Sequence, residues 1–124
     1  MKPEWRKYLG VRAPRYTSYP SALHFDEQAT AADYQKRLSE VGLYEPLSLY
    51  LHIPFCRQMC WYCGCNMRVE NDYARALRYV RALNTEIQLV GRHLAGAGRP
   101  LSVHFGGGTP NYLKIAEIGD ILGA

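Results

Sequence analysis

The segment LSLYLHI at residues 47–53 is a short apolar run between Pro46 and Pro54. A nearly continuous apolar run of this length is typical of a strand buried on both faces of a parallel sheet. It leads directly into CRQMCWYCGC at residues 56–65, which holds all four cysteines of the 124-residue chain. In α/β barrels the functional loops follow the carboxyl ends of such strands. The sequence therefore predicts an α/β fold with a functional loop at residues 56–65.

Three of the cysteines, Cys56, Cys60 and Cys63, have the spacing C-x3-C-x2-C. One short loop of this kind can direct three thiolates to a single 4Fe-4S cluster. The fourth iron then has no protein ligand, whereas an electron-transfer ferredoxin supplies four cysteines. The spacing therefore predicts a cluster with an open iron, at which a small ligand can bind. Cys65 lies outside the spacing, and its role stays open.

Cysteines can also form disulfides, bind zinc, carry out redox chemistry or lie buried and inert. Disulfides form in oxidising compartments, and residues 1–10 lack the apolar core of a secretory signal. Structural zinc sites usually have two separated C-x2-C pairs. A thioredoxin-like C-x2-C pair would explain Cys60 and Cys63 but leave the other two without a role. Inert buried cysteines rarely cluster within ten residues. The iron–sulfur cluster is favoured over each of these, and zinc is the strongest competitor.

The remaining pattern predicts helices at residues 26–41, 71–95 and 114–122 and a second strand at residues 101–105. Strand, long helix and strand then form one right-handed βαβ unit with parallel strands. The two loops that follow these strands lie on the same face, so we expect GGGTP at residues 106–110 beside the cysteine loop. His52 by itself is more typical of a core or supporting histidine than of a ligand.

Composition limits the class of protein. The chain is 48% apolar and 21% charged, and its net charge of +4 comes from scattered Lys and Arg. We therefore expect a globular domain with a mildly basic surface, and we expect no nucleic-acid binding. No apolar run is long enough to span a membrane. Reduced cysteines without a secretory signal favour the cytoplasm.

Four segments carry a resemblance to a known family. They are YLHIPFC at residues 50–56, CGCN at 63–66, HFGGGTP at 104–110 and APRYTSYP at 13–20. Together they resemble the oxygen-independent coproporphyrinogen III oxidases of the radical S-adenosylmethionine superfamily. The resemblance extends from about residue 12 to residue 124.

The resemblance implies a partial (β/α)6 barrel, of which this chain would hold the first two parallel strands and their helices. We expect an irregular N-terminal arm and a helix at residues 1–46 and the truncated start of the barrel at residues 47–124. Members of the family are several times longer, so we expect a truncated form whose 124 residues alone are not predicted to turn over substrate.

The resemblance also implies roles for individual residues. The expected cluster ligands are Cys56, Cys60 and Cys63. The positions that match contacts to S-adenosylmethionine are Tyr50 and Gly107 for a first molecule, and Tyr62, Gly108 and Thr109 for a second. The arm residues Arg15, Tyr16 and Tyr19 match a segment near the substrate.

The implied reaction is the oxidative decarboxylation of coproporphyrinogen III to protoporphyrinogen IX in heme biosynthesis. It requires a one-electron donor, and the protein is expected to be a cytoplasmic monomer. Two alternatives stay open: a non-catalytic 4Fe-4S or zinc module, and a paralogue of the heme-chaperone type. Cys65 and the RYTSYP segment argue against the chaperone.

Overall fold

The structure, a computed structural model, describes residues 28–124 together with Glu4, Arg6, His24 and Asp26. The predicted N-terminal arm, with Arg15, Tyr16 and Tyr19, lies outside these residues. Contacts divide the chain into two compact units, Met1–Ala31 and Ala32–Ala124. The division predicted between residues 46 and 47 stays a prediction.

The described elements include both helices and parallel strands, as expected of an α/β fold. In chain order they are α1 (Ala31–Ser39), β1 (Pro46–Ile53), β2 (Phe55–Cys56), β3 (Arg68–Val69), α2 (Tyr73–Leu94), β4 (Arg99–Gly107), a 3-10 helix (Pro110–Tyr112) and α3 (Ile115–Leu122).

The main sheet consists of β1 and β4, which are parallel. Tyr50 pairs with His104 and Ile53 with Gly107, so both strands end at the same edge. This confirms the predicted strand–helix–strand unit. β4 begins earlier than the predicted strand at residues 101–105 and includes Pro100. A register shift in β1 between Leu47 and Ser48 accompanies this proline, consistent with the place of prolines at the ends and irregularities of strands.

A second, very short parallel pair was not predicted. In it Phe55 pairs with Arg68 and Cys56 with Val69. The amide of Arg68 donates to the carbonyl of Pro54 at 2.7 Å, and that of Glu70 donates to the carbonyl of Cys56 at 2.9 Å. These bonds close the cysteine loop at its base, so that residues 57–67 form a closed excursion from the fold.

The helices differ in how well the sequence predicted them. α2 agrees closely: Asp72 caps it by accepting from the amide of Ala74, and Ala95 ends it in the left-handed conformation. α1 is shorter than the predicted 26–41 and buries no side chain. Before it, the carboxylate of Asp26 accepts from the amide of Gln28 at 3.1 Å, a local bond that competes with helix formation.

The core lies where the end of β1 meets the helices that follow it. Ile53 is fully buried there, and the buried side of α2 contributes Ala76 and Val80 to the same cluster. The buried apolar cluster consists of Ile53, Phe55, Ala76, Val80, Tyr112, Leu113 and Ile121. In the part of the chain that the structure describes, none of the helices has the length and apolar character needed to cross a bilayer.

Candidate metal and cofactor site

The glycine segment lies directly against the entry to the cysteine loop. The amide of Gly108 donates to the carbonyl of Ile53 at 2.8 Å, and the amide of Thr109 donates to the carbonyl of Phe55 at 2.9 Å. These bonds extend the pairing of β1 and β4 past the ends of the strands. The adjacency that the sequence predicted for the two loops is therefore present.

Two glycines permit this close approach. Gly107 has φ +109°, and a Cβ built on it would lie 2.8 Å from Cε1 of His52. A Cβ on Gly108 would lie 2.9 Å from the sulfur of Cys56 and 2.8 Å from the carbonyl oxygen of Phe55. Real Cβ atoms do not approach other atoms so closely, so a side chain at residue 108 would displace the cysteine.

The four cysteines differ in their surroundings, although all are free thiols. Cys56 is buried, with 7% of its surface exposed, and its sulfur lies 3.1 Å from the hydroxyl oxygen of Thr109. Cys63 is partly buried, and its amide donates to the carbonyl of Cys60 in a turn. Cys60 and Cys65 are exposed. The loop is thus anchored at its first cysteine and open toward solvent beyond it.

The thiols of the loop influence one another electrostatically. The negative charge of the Cys63 thiolate is the largest cause of a raised pKa for Cys65, and Cys56 and Cys60 contribute in the same direction. Thiolates that destabilise each other in this way are stabilised together by a positively charged centre. Among the described residues, however, no three Cys, His, Asp or Glu side chains converge in the arrangement of a metal site.

Tyr50 and His52 connect the strand to the far end of the cysteine loop. The hydroxyl of Tyr50 lies 3.1 Å from Nδ1 of His52, and Nε2 of His52 lies 2.8 Å from the carbonyl oxygen of Asn66. The ring of Tyr50 stacks on that of His104 with their centroids 5.8 Å apart. The structure therefore shows His52 making hydrogen bonds that support the site.

Tyr62 is placed differently from the other predicted cofactor residues. It lies on the outer turn of the cysteine loop beside Trp61, and 86% of its surface is exposed. Tyr50, Cys56, Gly107, Gly108 and Thr109 are brought together at the ends of the strands, whereas the structure packs Tyr62 against little of the described chain.

Glu70 is a residue of the site that the sequence did not single out. It is the one buried charged side chain among the described residues, with 6% of its surface exposed. Its carboxylate accepts from the amides of Asn71 and Asp72 at 3.1 and 3.0 Å and lies 3.2 Å from a guanidinium nitrogen of Arg68 and of Arg75.

These bonds determine the charge of Glu70 and its place in the structure. The amide of Asp72 is the largest cause that lowers its pKa, with Arg75 and Arg68 acting in the same direction. The carbonyl of Glu70 accepts from the hydroxyl of Tyr112 at 3.0 Å. Glu70 therefore ties the exit of the cysteine loop to α2 and to the 3-10 helix. An acidic residue just before a helix start was the available sequence signal.

Comparison with known proteins gives consistent results. An oxygen-independent coproporphyrinogen III oxidase of Escherichia coli is 47% identical over 112 residues, covering 88% of this chain and 23% of the relative. One of Bradyrhizobium diazoefficiens is 42% identical over 117 residues, covering 94% of this chain and 26% of the relative. This chain is homologous to the N-terminal part of these oxidases. It spans about a quarter of their length.

A solved structure extends the match to the fold. The coproporphyrinogen III oxidase of Escherichia coli, described as a radical S-adenosylmethionine enzyme, matches with a TM-score of 0.77 and 39% identity. The match covers 88% of this chain and 25% of that structure. The predicted fold class, the start of a radical S-adenosylmethionine barrel, is confirmed. No family model matches the sequence.

Proposed function

We propose that this chain provides the cluster- and cofactor-binding part of an oxygen-independent coproporphyrinogen III oxidase. The enzyme converts coproporphyrinogen III to protoporphyrinogen IX by oxidative decarboxylation in heme biosynthesis. One observation carries the proposal: the first cysteine of C-x3-C-x2-C is enclosed against the GGGTP segment at the shared edge of two parallel strands. The homologous enzymes named above support it.

Cys56, Cys60 and Cys63 would hold a 4Fe-4S cluster. The donor set fits, since thiolates are the usual ligands of iron–sulfur clusters and all three thiols are free. Cys56 lies in β2 and is held there by its burial. Cys60 and Cys63 lie in the loop that connects β2 to β3. This division leaves the outer loop free to adjust when metal binds, as is common where metal binding completes a site. Cys65 is not assigned as a ligand.

The cofactor residues are assigned to two molecules of S-adenosylmethionine. Tyr50 and Gly107 would contact the first, and Tyr62, Gly108 and Thr109 the second. All except Tyr62 lie at the carboxyl edge of the sheet, where open α/β sheets bind their ligands. The glycine backbone lies close to the cysteine loop because no side chain intervenes.

When bound, the cluster and S-adenosylmethionine supply the one-electron chemistry that converts propionate side chains to vinyl groups. The chain's own residues hold the thiolates, orient the cofactor and enclose the Cys56 side of the site. The whole enzyme would require coproporphyrinogen III and a one-electron donor. We further propose that it acts as a monomer in the cytoplasm. The four free thiols support the compartment, since reducing compartments keep thiols free.

A non-catalytic module that binds a cluster or zinc is the second candidate. One observation favours it: the thiols of the cysteine loop are free, and thiolates bind zinc as well as iron–sulfur clusters.

Anaerobic reconstitution with iron and sulfide tests both candidates. Electron paramagnetic resonance of the reduced protein is recorded with and without S-adenosylmethionine. A 4Fe-4S signal that changes on adding S-adenosylmethionine supports the open iron and the proposed function. A cluster signal that is insensitive to the cofactor supports the non-catalytic module. Zinc binding without any cluster would overturn the radical-enzyme assignment for this polypeptide.

A further inference from the structure

The hydroxyl of Thr109 contacts the sulfur of Cys56 and does not cap the helix that follows it. Thr109 occupies the position before the 3-10 helix, where a threonine hydroxyl usually accepts a hydrogen bond from a backbone amide of the first turn. Here it makes no such capping bond. Its oxygen lies instead 3.1 Å from the sulfur of Cys56, 53 residues earlier in the chain.

The backbone fixes this contact from both sides. The amide of Thr109 donates to the carbonyl of Phe55, the residue just before the cysteine. The amide of Glu70 donates to the carbonyl of Cys56 itself. Gly108 leaves no room between the two loops for any other group, because even a Cβ there would touch the sulfur. These backbone hydrogen bonds hold residues 109 and 56 next to each other. The hydroxyl therefore reaches the sulfur from a short side chain on a fixed backbone.

We propose that the Thr109 hydroxyl donates a hydrogen bond to the Cys56 thiolate and thereby raises the reduction potential of the cluster that this thiolate would ligate. The inference rests on the proposed function and deepens it. A thiolate has no proton to donate, so in the cluster-bound state the hydroxyl must be the donor. A donated hydrogen bond stabilises the reduced cluster more than the oxidised one, because the reduced cluster carries more negative charge.

Burial makes Cys56 the cysteine at which such a bond has most effect. Only 7% of Cys56 is exposed, whereas Cys60 is open to solvent. Around an exposed sulfur, water offers competing hydrogen bonds and screens charge; around a buried sulfur it does neither. The potential of the cluster should therefore respond to the single hydroxyl at residue 109.

The test compares Thr109→Val, which keeps the shape and removes the hydroxyl, with Thr109→Ser, which keeps the hydroxyl. Each protein is reconstituted anaerobically and titrated by electron paramagnetic resonance against ambient potential. S-adenosylmethionine is left out, since Thr109 is also proposed to contact it. For T109V we expect the ratio of reduced to oxidised cluster at a fixed potential to fall about tenfold, which for one electron corresponds to about 59 mV. T109S should remain close to the unmodified protein.

Thr85→Val is the matched control, because the Thr85 hydroxyl donates to the carbonyl of Arg81 within α2. It should leave the potential unchanged. If T109V does not fold, Thr109→Ala takes its place, since it removes the hydroxyl without having to fit a second methyl group. An unchanged potential in the variant without the hydroxyl would overturn the inference while leaving the proposed function intact. Failure of the unmodified protein to form a cluster would overturn the proposed function itself.

Discussion

One spacing in the sequence contains Cys56, Cys60 and Cys63, but the three differ in how exposed they are to solvent. Cys56 is enclosed by the glycine segment, and Cys60 is exposed on the outer loop. The spacing predicts that the three form a ligand set, and Cys65 lies outside it. Burial does not separate Cys60 from Cys65, because both are exposed. Substitution of each by serine should distinguish their roles.

Cys60→Ser should abolish cluster binding, and Cys65→Ser should retain it. A hydroxyl is a poor substitute for a thiolate toward iron, and two remaining ligands from the spacing are too few to hold the cluster. Iron and acid-labile sulfide per chain, measured after anaerobic reconstitution, distinguish the two variants. A full 4Fe-4S spectrum in C60S, or loss of iron in C65S, would contradict the three-ligand assignment.

Glu70 makes the stability of the fold depend on pH in the acid range. Its pKa in the folded chain is lowered, first by the amide of Asp72 and then by Arg75 and Arg68. The ionised carboxylate therefore stabilises the fold above the pKa of the unfolded chain, about 4.3. This stabilisation is lost as the pH falls through the lower folded pKa.

Glu70→Gln should flatten the plot of Tm against pH below about pH 5, where the stabilisation by the ionised carboxylate is otherwise lost. It should also lower Tm at neutral pH, because the charged partners of the buried carboxylate are left unmatched. Part of the pH dependence should remain, since Glu117 also has a lowered pKa, caused first by the hydroxyl of Tyr73. Glu86→Gln on the exposed side of α2 is the control. If E70Q keeps the same dependence of Tm on pH, the pKa of Glu70 is the same in the folded and the unfolded chain.

The glycine segment at residues 106–108 is packed closely against other elements, and this packing explains its lack of side chains. Three glycines after a strand predicted a turn or a close approach, and the structure shows a close approach to Tyr50, His52 and the Cys56 sulfur. The same reasoning predicts no constraint at Gly91 in α2, where nothing lies within 4 Å of an added Cβ. Gly108 and Gly91 therefore form a matched pair for experiment.

Gly108→Ala should destabilise the fold by about 1–3 kcal/mol, the usual cost of overpacking. Gly91→Ala should stabilise it by up to about 1 kcal/mol, since alanine favours helix over glycine. Urea unfolding followed by circular dichroism measures both. G108A should also lower the iron bound on reconstitution, because the added methyl displaces Cys56, and G91A should not. Equal stability of the two variants would show that the contact between the loops is not tight.

The sequence predicted the longer strands and helices better than the short strands and the strand ends. Helical periodicity predicted α2, and a nearly continuous apolar run predicted β1, because both patterns are local. The run predicted a strand buried on both faces, and this was wrong, since only Ile53 of β1 is buried. The sequence did not predict the β2–β3 pair, since two residues per strand carry no pattern. The predicted strand at residues 101–105 is also shorter than β4, because the pairing with β1 extends through Pro100 at one end and Gly107 at the other.

The whole molecule, as far as the structure describes it, depends on a small core. Ile53 is its only large side chain that is fully buried among the described residues, and the rest of the core surrounds it. Along β4 the apolar residues Leu101 and Val103 are 62% and 42% exposed. Little buried area supports the fold, so single core contacts matter more than in a larger domain.

Ile53→Ala should lower the free energy of unfolding by about 2–5 kcal/mol, through lost burial and the cavity left behind. This is enough to unfold much of a marginally stable chain at 25 °C, which circular dichroism would register. Leu43→Ala, at a turn residue that is 62% exposed, should change stability by less than about 0.5 kcal/mol. Similar losses in both variants would mean that the core is not centred on Ile53.

The sequence by itself determined the parallel unit of β1, α2 and β4 and the meeting of two loops at one edge, since these follow from local apolar patterns and the handedness of the connection. Tertiary structure decided which cysteine is buried, that Glu70 closes the cysteine loop and that Thr109 contacts the Cys56 sulfur. Such contacts join residues as far as 53 positions apart. They depend on burial and packing between elements, which no local pattern of residues records.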